Sequence, residues 1–566
     1  MLGITPVRAD VTEGIKTVMT DPTQSDGEKA PGTPGVLLQA KGLTIQTRAG
    51  VSLLSDLSLH IEPGELVALT GLSRSGKSVL LQSLAGLMQP ESGEILIDGI
   101  SLYANLKAFR PTVGFVSAEF PMHQNLTVAE ILQDAARLRL PRSVAAHDRK
   151  QRVLAVLEAV GLPKVADRRV GSLSAAQRRR LSIAVELVGY PKLLLLDESA
   201  EPLTPFEEVE ITLLMRELSR QGITIILVNA RSRSVGMSDK IIFLAPGGLL
   251  GWFGPSEEAF AYLRGLLPRG VVKDLFNLQE ALEVLVNPQL RDGIEWAKRF
   301  KEHTAYEKYV DDPLNNRYPD LLLQTHPLIR IRLRNSSNER LPPSIIPRAS
   351  TLQKLILLIR RNFRLLWRDK TAFMVLAIPP LVALVHFVLS SATQFNPIVG
   401  DPNSPPIVFG LLVFLVILTA ALLVQDEIFK ERAVYQRERR TNSLLFPYIF
   451  SKVWLVGSLA IYQGLVWTII QSLEEIRIGL AGGFQALLPS AITFCLIAFV
   501  GGILGLIVSV LSRTQRTTIG WVLLLTVPQL LLIISPFSHW SELAITSLSL
   551  IVVLVGIQHR AVSVRA

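Results

Sequence analysis

Six apolar segments follow one another from residue 371 to the end of the chain, and they restrict its fold more than any other feature. A helix needs about 20 apolar residues to cross the hydrocarbon core of a bilayer, and the first five segments reach that length while the last is shorter. A soluble core could bury one such run but not six. We therefore expect an all-α membrane domain over residues 371–566, with segments near 371–391, 406–425, 447–471, 484–511, 518–537 and 543–558.

Basic residues predict how this domain is oriented. The segments "DEIFKERAVYQRERRTNS", "SRTQRTT" and "HRAVSVRA" contain Arg and Lys, whereas "SATQFNPIVGDPNSPP" and "PFSHWSE" contain none. Positive loops stay in the cytoplasm, so both termini are expected there, in a protein of the inner or plasma membrane. The net charge of +10, in a chain that is 49% hydrophobic, is assigned to these loops. A nucleic-acid partner is not expected.

Composition also divides the first 370 residues. Residues 1–36 are polar and rich in Pro and Gly, which predicts a disordered tail. Residues 266–350 are mixed and charged and are interpreted as a partly helical linker. Residues 351–370, "TLQKLILLIRRNFRLLWRDK", alternate apolar and basic residues at helical spacing. This pattern predicts an amphipathic helix that lies on the cytoplasmic membrane surface.

Residues 37–265 read as a soluble domain in which strands alternate with helices. "ELVALT", "PKLLLLD" and "GITIILV" are apolar runs typical of strands buried on both faces of a parallel sheet. "SVLLQSLAGLM" has the length and spacing of a helix. The alternation predicts a doubly wound α/β domain with a mostly parallel sheet.

A phosphate-binding loop lies between the first of these strands and the helix. "GLSRSGKS" places Gly71, Gly76, Lys77 and Ser78 at the spacing of the phosphate-loop motif, and the strand before it and the helix after it are the expected context. Backbone amides at a helix N-terminus favour anions, Lys77 adds a positive charge, and the Ser78 hydroxyl can bind Mg²⁺. The predicted ATP-binding residues are Gly71, Leu72, Ser73, Arg74, Ser75, Gly76, Lys77, Ser78 and Val79.

A pair of acids ends the apolar run "LLLLDE" at residues 193–198. Because it follows a buried strand, this pair should lie at the carboxyl edge of the sheet, beside the phosphate loop. Asp197 is then predicted to bind Mg²⁺ with Ser78. Glu198 is predicted to lie near the attacking water as the catalytic residue.

These motifs and several others resemble the ATP-binding cassette family. "GSLSAAQRRRLSIAVELV" (171–188) resembles the signature segment of that family, and "LLLLDESAEPLTP" resembles its acid and dimer-loop segment. A cassette followed by a membrane domain, with "GWFGPSEEAFAYL" and "EIFKERAVYQRER", resembles the G (White-type) half-transporters and their bacterial relatives. The resemblance implies a P-loop cassette with a helical subdomain, fused to six membrane helices. It also implies MgATP, export of hydrophobic or lipid-like molecules, and a dimer with an identical or different half-transporter.

The signature segment departs from the family pattern. In the family, the signature of one subunit closes over the ATP bound by the other. Ser174 and Gln177 remain here, but the two glycines are replaced by Ala175 and Ala176. Two methyl groups are therefore expected where the backbone of relatives approaches the γ-phosphate closely.

Other positions that relatives use to switch or to hydrolyse ATP are replaced as well. The glutamine after the strand "VGFV" is Ala118, the dimer-loop aspartate is Thr204, and the histidine that contacts the γ-phosphate is Ala230. Within the phosphate loop, Arg74 replaces a glycine and Val79 a threonine. Loss of one preorganised donor typically lowers an enzymatic rate by about 10² to 10³. ATP binding with weak or no hydrolysis is expected.

Several alternatives stay open at this stage. The chain is interpreted as a half-transporter, or as a non-transporting partner that senses ATP and regulates or scaffolds another complex. The segment 427–439 is either a solvated positive loop or one that docks on the cassette. His386 and Gln463, which lie in apolar segments, contribute either to a translocation path or to hydrogen bonds between helices.

Overall fold

The computed structural model describes two compact units, which meet in sequence at residues 350 and 351. The described residues are 35–228, 235–265, 293–315, 349–369, 374–389, 404–441, 445–477, 483–512 and 514–534. Ala230, the tail 1–34 and the sixth apolar segment lie outside them.

The first unit is built on a six-stranded sheet in the order β10-β9-β3-β8-β7-β6. Neighbouring strands are parallel except β10 and β9. Its central strands are fully buried runs of Leu, Ile and Val, as expected for a parallel sheet covered on both faces. The strands are β3 (Leu66–Gly71), β6 (Val113–Val116), β7 (Leu193–Leu196), β8 (Thr224–Val228), β9 (Lys240–Ala245) and β10 (Leu249–Pro255). The predicted α/β class and the predicted buried strands are confirmed.

A second sheet of four antiparallel strands packs beside the first, in the order β2-β1-β4-β5. The sequence patterns did not predict this sheet. Inward-facing residues such as Leu38, Leu57 and Ile97 are fully buried and join the same apolar core as the six-stranded sheet. The strands are β1 (Leu38–Gln46), β2 (Ser52–Ile61), β4 (Ser92–Ile97) and β5 (Ile100–Ser101).

Helices cover the large sheet and form a subdomain between β6 and β7. Three of them begin at capping boxes, in which the N-cap hydroxyl and the third helical side chain exchange hydrogen bonds with backbone amides. These capping residues are Thr127, Ser174 and Thr204. The helices are α1 (Lys77–Leu84), α2 (Leu106–Phe109), α3 (Val128–Arg139), α4 (Ala146–Ala159), α5 (Ala175–Leu187), α6 (Pro205–Arg220) and α7 (Ser256–Gly265).

Residues 293–315, placed by the sequence in a linker, pack on this first unit. Phe300 is fully buried, with its ring 5.5 Å from that of Trp252 on β10. The Lys301 ammonium lies 2.6 Å from the Asp56 carboxylate on β2. This segment therefore extends the core of the α/β unit. It contains α8 (Gly293–Lys301), α9 (Thr304–Tyr306), a π-helical turn (Glu307–Asp311) and α10 (Asp312–Asn315).

The second unit is helical throughout its described part. Three stretches there are long and apolar enough to cross a membrane: Gly410–Arg440, Leu445–Glu474 and Leu487–Leu511. Two shorter apolar helices, Met374–Val388 and Thr517–Thr526, flank them, and these five stretches overlap the first five predicted segments. The helices are α11 (Thr351–Arg368), α12 (Ile378–Leu389), α13 (Ser404–Val424), α14 (Glu427–Thr441), α15 (Leu445–Arg477), α16 (Gly483–Leu511) and α17 (Gln515–Ile534).

Small residues allow the membrane helices to approach closely. Gly501 and Gly505 of α16 are four residues apart and face α13, where an added Cβ would lie 2.7 Å from the Ile417 oxygen and 2.5 Å from the Ala421 oxygen. Close backbone contact of this kind stabilises helix pairs in lipid, where the hydrophobic effect contributes little.

At the start of α15, buried Lys452 pairs with Glu427 and Glu431 of α14. The segment 427–439 is thus a helix anchored to α15, not a free loop.

Candidate nucleotide site

The phosphate loop lies at the carboxyl edge of the large sheet. It connects β3, which ends at Gly71, to α1, which begins at Lys77, and β3 is flanked by β8 and β9. The first amides of a helix have no intrahelical acceptor, and the helix dipole favours an anion there. The loop therefore ends at a helix terminus suited to a phosphate.

Two glycines of this loop are required by its geometry. Gly71 has φ of 144°, and an added Cβ would lie 2.3 Å from the Leu244 oxygen. Gly76 has φ of 94°, and an added Cβ would lie 2.4 Å from the Leu53 oxygen. Both positions combine a left-handed backbone with a close backbone neighbour, so no other residue fits without distortion.

Arg74 occupies the loop position where the family resemblance leads one to expect glycine. Its φ of 65° lies in the left-handed region. A side chain there costs roughly 1 kcal/mol or more relative to glycine. The backbone at Arg74 is therefore strained, while the loop still connects β3 to α1.

The half-buried Lys77 and the buried Ser75 point to an anionic ligand. The Lys77 ammonium donates to the Gly71 and Leu72 oxygens at 2.9 and 2.7 Å, within the loop. Burial lowers the pKa of Lys77, while the carboxylates of Glu198 and Asp197 act in the opposite direction. The buried Ser75 hydroxyl has no hydrogen-bond partner among the described residues. A bound phosphate would supply an acceptor to such a donor.

The candidate magnesium ligands are already adjacent. The Ser78 hydroxyl donates to the Asp197 carboxylate at 3.1 Å across 119 residues of sequence, and the Glu198 amide donates to the same carboxylate oxygen at 2.9 Å. A hydroxyl and a carboxylate are hard oxygen donors of the kind Mg²⁺ prefers, alongside phosphate oxygens. Glu198 itself is exposed. The residues fit MgATP, and the Ser78–Asp197 pair would hold the ion.

The other predicted loop residues surround this centre. Leu72 is buried, Val79 packs half-buried against the core, and Ser73 is exposed. These residues contribute backbone and shape to the loop.

Ala118 lies directly beside the acidic loop. Its carbonyl accepts a hydrogen bond from the Ala200 amide at 3.2 Å. Next to it, the buried Arg179 guanidinium of α5 donates to the Ser117 oxygen at 3.3 Å and to the backbone oxygen of Asp197. Burial lowers the pKa of Arg179 to about 10, against the influence of Asp197. The sequence analysis assigned no role to Arg179, because nothing in the run "QRRR" distinguishes it from its neighbours.

The signature segment begins α5, and its retained side chains have a structural function. The Ser174 hydroxyl accepts from the Gln177 amide at 3.2 Å, and the Gln177 side-chain oxygen accepts from the Ser174 amide at 3.1 Å. Ala175 is half-buried, but Ala176 is only 7% exposed and belongs to the interior of its own unit. Of the two methyl groups predicted to obstruct the γ-phosphate, that of Ala175 is the more exposed.

Thr204 is the N-cap of α6. Its hydroxyl accepts from the Glu207 amide at 3.3 Å, and its own amide donates to the Glu207 carboxylate at 2.8 Å. Aspartate and threonine both serve well as N-caps. The replacement removes a charge while the start of the helix is kept. Ala230, the predicted histidine position, lies outside the described residues.

The two polar residues that the sequence singled out in apolar segments, His386 and Gln463, both make buried contacts with neighbouring helices. His386 of α12 lies 3.1 Å from Glu474 of α15, and both side chains are largely buried. Gln463 of α15, fully buried, donates to the Val416 oxygen of α13 at 2.8 Å. Both candidates from the sequence thus contact neighbouring helices, which supports the packing alternative for each.

Comparison with known families agrees with this architecture. Residues 54–201 match the model of the "ABC transporter" family, and residues 353–538 match that of the "ABC-2 type transporter" family. The two matches together cover more than half of the 566 residues. The chain belongs to the ATP-binding cassette (ABC) transporters. Its first unit is the ATP-binding cassette, and its second unit is an integral membrane domain of the ABC-2 type.

Individual ABC relatives match different shares of the chain. The ABC transporter ATP-binding/permease protein Rv1747 of Mycobacterium tuberculosis is 29% identical over 440 residues, which are 76% of this chain and 46% of that protein. The broad substrate specificity ATP-binding cassette transporter ABCG2 of Rattus norvegicus is 35% identical over 230 residues, 39% of this chain and 34% of that protein. ABC transporter G family member 22 of Arabidopsis thaliana is 35% identical over 222 residues, 38% of this chain and 29% of that protein. The chain thus spans less than half the length of each of these relatives.

Proposed function

We propose that the protein is a half-transporter that binds MgATP in its cassette and works as a dimer to export hydrophobic or lipid-like molecules, with weak or no ATP hydrolysis of its own. The observation that carries the ATP-binding part is the glycine-constrained loop that holds the Lys77 ammonium, together with the contact between the Ser78 hydroxyl and the Asp197 carboxylate beside it. The cassette and the amino terminus would lie in the cytoplasm, as the basic loops indicate.

Export and cargo class rest on resemblance to G-type transporters. The relative from Rattus norvegicus carries "broad substrate specificity" in its name, and hydrophobic cargo suits a membrane domain in which the long helices α13 and α16 are almost entirely apolar. One cassette and one membrane domain form half of the usual pathway, which is why a second copy or a different half-transporter is required.

ATP binding is tested by isothermal calorimetry with MgATP on the purified full-length protein in detergent. We expect measurable binding that Lys77→Ala weakens by about 2 to 3 kcal/mol, on the order of 30- to 150-fold, because a charged donor to the phosphates is lost. Lys164→Ala removes an exposed lysine on the same cassette and serves as the control. Absence of binding by the folded wild type would contradict the proposal.

A second function is favoured by the substitutions at Ala118, Thr204 and Ala230. A cassette that binds ATP but hydrolyses it poorly suits a membrane partner that senses ATP and regulates another complex. Purification from the native membrane separates the two functions. A second, intact cassette chain in the isolated complex supports the transporter, whereas an unrelated complex supports the regulatory partner.

A further inference from the structure

One arginine at the start of α5 connects two segments that the nucleotide site uses. This arginine, Arg178, contacts Leu173, the residue before the N-cap Ser174. It also contacts Glu201 in the loop 197–204, which joins β7 to α6. Arg178 donates through Nη1 to the Leu173 oxygen at 2.6 Å, through Nε to Glu201 Oε1 at 3.0 Å, and through Nη2 to Glu201 Oε2 at 2.9 Å. All three nitrogens of one guanidinium are thus engaged.

This geometry is more constrained than an ordinary surface ion pair. An exposed pair of flexible side chains contributes little to stability, with a median near 0 to 1 kcal/mol. A carboxylate held by two nitrogens of a planar guanidinium has a fixed orientation as well as an attraction. Here a third nitrogen also fixes the arginine to backbone. The pair therefore sets the position of Glu201 relative to Ser174.

Glu201 lies three residues after Glu198, within the same loop. The first residue of that loop is held separately, because Asp197 is contacted by Ser78 and by Arg179. Between these two anchors, the Ala200 amide donates to the Ala118 oxygen. Arg178 and Arg179, adjacent on α5, thus restrain opposite ends of the short segment that contains Glu198.

We propose that Arg178 and Glu201 form a positioning pair, which holds the segment 198–203 so that Glu198 keeps a fixed place beside the phosphate loop. Neither residue touches the nucleotide in this assignment. The assignment rests on the proposed role of Glu198 in hydrolysis. It predicts that breaking the pair affects turnover while MgATP affinity is retained, since Lys77, Ser78 and Asp197 are held by other contacts.

The same helix offers a matched control. Arg180 of α5 pairs with Glu210 of α6 at 2.5 Å, with side-chain exposures of 23% and 38% against 29% and 46% for Arg178 and Glu201. This second pair joins two helices and does not reach the loop. Glu210→Gln therefore removes an equivalent ion pair without affecting the segment that contains Glu198.

Amide hydrogen exchange on the full-length protein provides a readout that does not depend on hydrolysis. Glu201→Gln and Arg178→Gln should each accelerate exchange in residues 198–203 by about tenfold or more, because the local opening becomes easier. The double variant Arg178→Glu with Glu201→Arg should recover most of the protection. Glu210→Gln should leave these amides unchanged, and residues 181–187 should retain their protection in every variant.

Steady-state kinetics then tests the positioning role. In Glu201→Gln, kcat should fall between about tenfold and a hundredfold with KM for ATP unchanged, since small displacements of a catalytic group have effects of this size. Unchanged exchange in the loop overturns the proposal, as does faster exchange with unchanged kcat. A wild-type protein without Glu198-dependent turnover also overturns it. That last result leaves the ATP-binding proposal intact, because calorimetry on Lys77→Ala tests binding separately.

Discussion

The phosphate loop and the signature segment differ in what their sequences have kept. Around the phosphate loop, the side chains with a predicted chemical role, Lys77, Ser78 and Asp197, are present: Lys77 donates to loop carbonyl oxygens, and Ser78 contacts Asp197. In the signature and dimer-loop segments, Ala175, Ala176 and Thr204 stand where the family resemblance leads one to expect two glycines and an aspartate. Ser174 and Thr204 nevertheless cap their helices.

This comparison separates two requirements on a sequence. A helix start can be satisfied by Ser, Thr, Asp or Asn, so local structure survives exchange among them. A donor aimed at a reacting phosphate cannot be exchanged for a methyl group without loss of its chemistry. Thr204, where the family resemblance leads one to expect aspartate, still caps α6, whereas Ala118 and Ala230 have no polar side chain.

The largest predicted effect is a gain of ATP turnover when the side chains expected from the family resemblance are restored. Ala118→Gln and Ala230→His together should raise ATP turnover of the homodimer by about 10² or more, since each restores a preorganised polar group. Addition of Ala175→Gly should raise it further. Ala176→Gly is the control and should add little, because Ala176 faces the interior of its own cassette.

Turnover is measured by phosphate release, with Glu198→Gln added to confirm that the restored activity uses this glutamate. Ordinary wild-type turnover that Glu198→Gln abolishes would show that the replaced residues are dispensable. Both regions of the site would then be functional, and the distinction between them would be lost.

A mixed dimer gives the next largest effect, because it separates the two halves of each composite site. The site built on this chain's phosphate loop lacks the side chains expected at Ala118 and Ala230. The other site pairs an intact partner with this chain's altered signature. Hydrolysis should therefore depend mainly on the partner's catalytic glutamate, falling about tenfold or more when it is changed to glutamine, and less for Glu198→Gln.

The two glutamates are replaced one at a time in a co-purified pair, and phosphate release is measured for each. Nucleotide binding by both variants controls for assembly. Activity lost only with Glu198→Gln would make this chain the hydrolytic subunit and would reverse the assignment.

Features of the site that are formed by residues adjacent in sequence could be predicted from the sequence. The strand, glycine-rich turn and helix around Lys77 follow one another directly, and the buried strand that ends at Asp197 carries its own apolar signal. Contacts between distant residues were not predictable in the same way. The antiparallel sheet pairs β1 with β4, and Phe300 packs on Trp252, because the completed fold brings these surfaces together.

The direction in which each side chain of a motif points could not be predicted from the sequence either. Adjacent alanines in "LSAAQ" look equivalent, but the helix directs Ala176 inward and leaves Ala175 half-buried. Likewise, nothing in the run "QRRRL" assigns one arginine to Glu201, the next to Asp197 and the third to Glu210. The helical turn distributes them among the three acceptors.

The smallest predicted effect concerns the helix caps and tests whether the altered segments keep a structural role. Ser174→Ala and Thr204→Ala should each lower the free energy of unfolding of the cassette by about 1 kcal/mol, because an amide at the start of α5 or α6 loses its acceptor. For a domain of this size the thermal midpoint should fall by about 2 to 4 °C. Thr204→Asp should lower the midpoint less than Thr204→Ala, since aspartate accepts the same hydrogen bond from the Glu207 amide although the bond from the hydroxyl to the Glu207 carboxylate is lost. Scanning calorimetry of the full-length protein measures each shift, and exposed Ser73→Ala is the control for loss of a hydroxyl that caps no helix. If Thr204→Asp destabilised the cassette as much as Thr204→Ala, the cap would not be what this position preserves.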